Sequence, residues 1–141
     1  MTINDNKNVS YYNNLPQVGD IVWCSYPEEF GTPGPKCRPA LVIGISSKHH
    51  AVSVVYGTSK KLDRLYSTEI LLDKKDQGFV DSGLSYSTKF DLANSVQLPF
   101  THDWFSPSPC GLMHNPLPKM GVLHISYYPA LAKASKAIKK E

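Results

Sequence analysis

No uninterrupted apolar run in the 141 residues is longer than Ala40-Leu41-Val42-Ile43, which reaches Ile45 only through Gly44. That is far short of the ~18 residues a membrane-crossing helix needs, so no span and no membrane partner are expected. The first 14 residues are polar and asparagine-rich, without the basic start and apolar stretch of a secretory signal, and a cytoplasmic location is expected. Cysteine is scarce and odd in number. Cys24, Cys37 and Cys110 cannot supply the disulfide framework of a small secreted domain, so reduced thiols are expected. Adding His49, His50 and His114 produces no C-x-x-C or H-x-x-x-H pair, and neither a metal nor another cofactor is expected.

Other absences exclude reaction classes. There is no G-x-S-x-G elbow for a serine hydrolase, no glycine-rich phosphate loop and no internal repeat. The five histidines offer no catalytic context: His49-His50 falls at a hairpin tip, and His102, His114 and His124 stand alone. Cys37, beside Arg38, is the one cysteine with a thiolate-stabilising neighbour, and it reads as an inert thiol at a strand entrance. Glu28-Glu29 reads as a solvated acidic pair in a loop.

What is present suits one globular domain: 15.7 kDa, 41% hydrophobic, 11% aromatic and 19% charged. The net charge of +3 is unevenly spread. Residues 36–64 carry Lys36, Arg38, Lys48, Lys60, Lys61 and Arg64 against Asp63 alone, a block that could attract phosphate or merely form a solvated face.

Residues 1–16 read as a polar, flexible leader, and residues 17–141 as a single barrel domain. A Gly19-Asp20 turn opens a first strand at 21–26, and three prolines make 27–36 a loop. Residues 40–45, apolar almost without alternation, read as a buried central strand starting after Pro39; 51–56 follow as its hairpin partner. Further strands are expected at 68–72, 87–92 and 95–98. Residues 101–119, with Pro107, Pro109, Pro116 and Pro118, read as an ordered surface excursion. The end is helical, with Ser126 as cap, Pro129 in the first turn, and Leu131, Ala134 and Ile138 on one face. The fold class is therefore mainly β, a compact antiparallel barrel with a short C-terminal helix.

Antiparallel pairing of the two central strands brings Arg38, at the start of one, beside Thr58 and Ser59, at the end of the other. A guanidinium fork matches phosphate oxygens, and Lys60 and Lys61 could add phosphate contacts at the same sheet edge. The same residues also read as an ordinary strand start and an ordinary strand end.

Gly19-Asp20-Ile21-Val22-Trp23, Arg38-Pro39-Ala40-Leu41-Val42-Ile43, Tyr56-Gly57-Thr58-Ser59 and Thr88-Lys89-Phe90-Asp91, in this order, resemble the PemK/MazF family of bacterial toxin-antitoxin toxins. The resemblance covers about residues 17–138. It implies an SH3-like barrel of the CcdB/MazF type, a homodimer, a cognate antitoxin partner and metal-independent cleavage of single-stranded RNA. It further implies catalytic roles for Arg38 and Thr58, and RNA binding or orientation by Lys89 and Asp91, with Lys89 standing where the family often has arginine. In the implied reaction the ribose 2′-hydroxyl attacks the adjacent phosphorus, leaving a 2′,3′-cyclic phosphate and a 5′-hydroxyl. Loop 27–36 would border the RNA groove. Trp104 and Phe105 would either stack on bases or plug the excursion onto the core. Because related CcdB-like proteins use this barrel to inhibit a protein target, a noncatalytic binding module is the alternative expectation. Nonspecific nucleic-acid binding through the basic block is a third.

Overall fold

A computed structural model describes residues 12, 14–27, 31–34, 36–106 and 118–139. Its strands are β1 (Asp20–Cys24), β2 (Arg38–Ser46), β3 (Ala51–Thr58), β4 (Glu69–Leu72), β5 (Thr88–Asp91), β6 (Val96–Pro99) and β7 (Lys119–Val122), followed by helix α1 (Tyr128–Lys139). All pairings are antiparallel. They build a curled half-barrel sheet in the order β4-β5-β3-β2-β1-β7, with β6 on β3.

The three central strands are buried on both faces, which is why they read as nearly continuous apolar runs. Alternate side chains feed two different cores. Ile21, Leu41 and Val55 join Ile70, Leu72, Phe90 and the α1 residue Ala134 on one side. Val22, Ala40, Val42, Val52 and Val54 join Tyr12, Leu98, Phe100 and Phe105 on the other. Each fully buried aliphatic side chain contributes about 1.5–3 kcal/mol of hydrophobic stabilisation.

Several boundaries differ from expectation, each for a physical reason. β2 begins at Arg38, so Pro39 lies within the strand, opposite Trp23 of β1. The β2–β3 ladder starts only at Ala40, so the other edge of Pro39 has no ladder bond to make and its missing N–H is tolerated. β3 runs on to Thr58 because β5 takes up Gly57 and Thr58. β7 has no counterpart among the expected strands: it is a four-residue edge strand with a glycine inside, following a proline-rich stretch. Its Gly121 is required, since a Cβ there would meet the Asp81 carbonyl oxygen at 2.3 Å.

At the C-terminus the cap is His124 rather than Ser126. The His124 side chain accepts from the Ser126 N–H and opens a 3-10 turn, Ile125–Tyr127, that runs into α1 with Pro129 in its first turn. Leu131, Ala134 and Ile138 pack on the core as their spacing implied. Residues assigned to the leader also reach the barrel. Tyr12 is buried, its hydroxyl donating to the Phe105 carbonyl (3.0 Å) and its ring lying 5.0 Å from that of Phe100.

Candidate active site

The site arises where two paired strands part company. β2 and β3 pair from Ser46/Ala51 to Ala40/Tyr56, with a register shift between Val42 and Gly44, and there their ladder ends. Beyond it β2 follows β1, with Arg38 opposite Cys24, whereas β3 turns to β5, with Thr58 opposite Lys89. The divergence opens a cleft of about 780 Å³ with Arg38 on one lip and Thr58, Ser59 and Lys60 on the other. Its far wall comes from Leu84, Ser85 and Tyr86, before β5, and from Met120 of β7.

Gly57, at the bend of β3, has no room for a side chain. A Cβ there would lie 2.4 Å from Thr88 Cγ2 and 2.7 Å from Phe90 Cε1. Thr58 is half-buried, and its Oγ1 accepts from the Lys60 N–H at 3.1 Å, which folds the chain back over the cleft rim. Ser59 and Lys60 are exposed. Lys61, in the left-handed conformation at φ +56°, is exposed outside the cleft lining.

Arg38 is exposed, and among the described residues no carboxylate lies within ion-pair distance of it. Its guanidinium carbon stands 6.0 Å from the centre of the Tyr56 ring, and Tyr56 in turn meets Tyr26 with centroids 4.8 Å apart. Burial, reinforced by Cys24, Tyr56 and Asp91, raises the Tyr26 hydroxyl above its ordinary pKa of 10.0. Cys37 borders the cleft with its Sγ between Ser25 Oγ (3.4 Å) and Ser106 Oγ (3.6 Å). Burial also pushes the Cys24 thiol up, away from thiolate chemistry.

Lys89 and Asp91 lie on β5 but their side chains are committed to the fold. The buried Lys89 ammonium donates to the Arg64 carbonyl at 2.7 Å and pairs with Glu69 at 3.3 Å. Asp91 accepts from Thr68 Oγ1 (2.8 Å), the Ala93 N–H (3.0 Å) and Asn94 Nδ2 (3.0 Å), closing the turn into β6. The basic block is split as well, since Lys48 sits in the β2–β3 hairpin turn at the opposite end of these strands. Phe105 is fully buried and Trp104 packs beside it, so both are plugs of the core. Glu28, Glu29, Phe30, Cys110 and His114 lie outside the described residues.

The sequence assigns no site role to Tyr26, Tyr56 or Tyr86, although with Trp23 they give the cleft its aromatic character. The signal for Tyr56 was its place immediately before Gly57-Thr58-Ser59. Among the described residues no histidine or carboxylate lines the cleft, and no group of three or more potential metal ligands occurs. No helix among them is long and apolar enough to cross a membrane.

No protein-family model matches the sequence, and no curated protein matches it. Solved structures do. The Mycobacterium tuberculosis toxin MazF-mt6 superposes with a TM-score of 0.57 at 21% identity, over 86% of this chain and 96% of its own. A mycobacterial endoribonuclease in complex with its cognate antitoxin gives a TM-score of 0.54 at 13% identity, over 89% and 95%. At these identities the likeness establishes the fold, and the fold is that of the PemK/MazF toxins.

Proposed function

We propose, with the MazF-type barrel as premise, that this chain is a toxin-like endoribonuclease. It cuts single-stranded RNA without a metal, acts as a homodimer in the cytoplasm and is neutralised by a cognate antitoxin. The observation that carries the reading is the cleft at the parting of β2 and β3, which sets an exposed arginine with no carboxylate partner among the described residues across from a threonine, a serine and a lysine. An RNA phosphate bound there meets donors on both sides. The similar mycobacterial proteins described as a toxin and as endoribonucleases support the class of activity, and the complex of one with its antitoxin supports the partner.

The chemistry follows from the side chains available. A ribose 2′-hydroxyl attacks the adjacent phosphorus, the P–O5′ bond breaks, and the products are a 2′,3′-cyclic phosphate and a 5′-hydroxyl. Charge builds on the non-bridging oxygens, where the fixed Arg38 fork stabilises it. Thr58 Oγ1 orients the phosphate, and Ser59 and Lys60 hold it on the rim. Lys61 extends the positive margin along which RNA approaches. Lys89 and Asp91 serve the RNA indirectly, by fixing the strand beside Thr58 and the turn that follows it. Charge stabilisation by Arg38 and orientation by Thr58 are the contributions these lining residues make to the rate.

The test is incubation of the purified chain with a long single-stranded RNA in EDTA, beside Arg38→Ala and Thr58→Ala, with both new ends mapped. Each substitution is expected to slow cleavage about 10²- to 10³-fold. Failure of correctly folded, antitoxin-free protein to cut varied RNAs would overturn the nuclease reading in favour of a noncatalytic binding module.

A further inference from the structure

Arginine is a long side chain with several rotatable bonds, and an exposed arginine at a strand end ordinarily samples many positions. A catalytic guanidinium must instead be held before the substrate arrives. An ion pair would hold it but would also cancel the charge the phosphate needs. An aromatic face orients a cation while leaving that charge in place.

The cleft contains such a device. The Tyr56 ring lies within cation–π reach of Arg38, at 6.0 Å. Tyr56 is braced in turn by the Tyr26 ring, tilted at 42° with centroids 4.8 Å apart. Tyr26 is itself anchored, its hydroxyl donating to the Asn94 carbonyl at 2.8 Å. Asn94 cannot drift, because its N–H donates to the Asp91 carbonyl (3.1 Å) and its side-chain amide to the Asp91 carboxylate (3.0 Å). An unbroken series of contacts thus runs from the β5–β6 turn to the guanidinium.

We infer that Tyr26 and Tyr56 are positioning residues, a stacked aromatic bracket that fixes the Arg38 guanidinium at the cleft for the RNA cleavage proposed above, on which this inference rests. Asp91, which closes the turn into β6, thereby also secures the far end of the bracket.

Two readouts test this. In single-turnover cleavage, Tyr56→Leu and Tyr26→Leu are expected to lower the maximal rate ~3- to 30-fold, the range that a lost cation–π contact corresponds to, with the half-saturating RNA concentration unchanged. Tyr56→Phe, which keeps the ring, restores the rate, and in an Arg38→Ala background Tyr56→Leu causes no further loss. The second readout needs no RNA: ¹⁵N relaxation of the Arg38 Nε–H group, ordered in the native protein and in Tyr56→Phe, becomes mobile on the picosecond–nanosecond scale in Tyr56→Leu. Backbone amide spectra of each variant verify that the barrel is intact. A loss that falls on the half-saturating concentration and persists without Arg38 would show that the ring touches RNA directly, and would overturn the inference. Unchanged Arg38 dynamics in a folded Tyr56→Leu protein would overturn it too. If the native protein cuts no RNA, the nuclease reading fails, and the relaxation comparison alone decides whether the bracket holds the arginine.

Discussion

Lys89 and Glu69 hold each other at 3.3 Å on adjacent strands, with both side chains less than a tenth exposed. The same ammonium donates to the Arg64 carbonyl, pinning the connection between β3 and β4 against the sheet. Lys89, expected to meet RNA, makes these internal contacts in this structure. Lys89→Ala leaves a buried carboxylate without its cation and should destabilise the fold by about 3–5 kcal/mol. Replacing both partners, Lys89→Met with Glu69→Leu, should recover most of that loss. Urea unfolding of the three proteins checks it, and a Lys89→Ala protein of native stability would contradict it.

Gly57 makes a sharper steric prediction. A methyl group there collides with Thr88 and Phe90 at the bend of β3. Gly57→Ala should therefore cost about 1–3 kcal/mol through overpacking, and should shift Thr58 away from Arg38. Thermal melts report the first effect. Cleavage assayed well below the melting temperature reports the second.

Alkaline pH should weaken the fold through Tyr127. Burial and its hydrogen bond to Asp76 Oδ2 (2.9 Å) raise its pKa above the ordinary 10.0. The unfolded chain therefore loses this proton first, so the contribution to stability is complete below pH 10.0 and falls as pH rises towards the folded-state value. Tyr12 and Tyr26, both raised by burial, act with the same sign. Tyr127→Phe should flatten the decline, measurable as urea midpoints between neutral pH and pH ~11. An unchanged slope would refute the assignment.

At the cleft, Arg38→Lys retains the charge but not the planar fork. It should still cut RNA at least ~10-fold more slowly than the native chain, with little change in stability because Arg38 is exposed. Full activity would mean that charge alone suffices.

The central strands and the placing of Arg38 and Thr58 on one cleft are legible because both rest on local pattern. An apolar run of strand length and a short hairpin connection give the pairing, whereas the register shift between Val42 and Gly44 has no signal in either. Pro39, by contrast, looked like a boundary because a proline's effect depends on whether its other edge is paired, and that depends on where β3 turns. The fate of Lys89 depended on Glu69, 20 positions earlier in the chain and diagonal to it across the sheet. The Tyr26–Tyr56 stack is likewise made by residues of different strands and loops, with no spacing to announce it. β7 carried no periodicity of its own and exists because β1 offers it an edge.

β3 is shared. Its first residues pair with β2 and β6 and its last with β5. Thr58 therefore belongs to the most heavily cross-braced strand of the molecule, which should exchange its amide protons only on global unfolding. Opposite it, the wall of Leu84, Ser85 and Tyr86 lies in a connecting segment outside the ladders. One side of the cleft is bound to the integrity of the whole barrel, whereas on the other the exposed Ser85 and Tyr86 can change at little structural cost, Leu84 alone being packed against the core. On the nuclease reading proposed above, reaction chemistry and sequence preference would then be lodged in parts of the chain that vary independently, and discrimination among RNAs would diversify while the cutting machinery stayed the same.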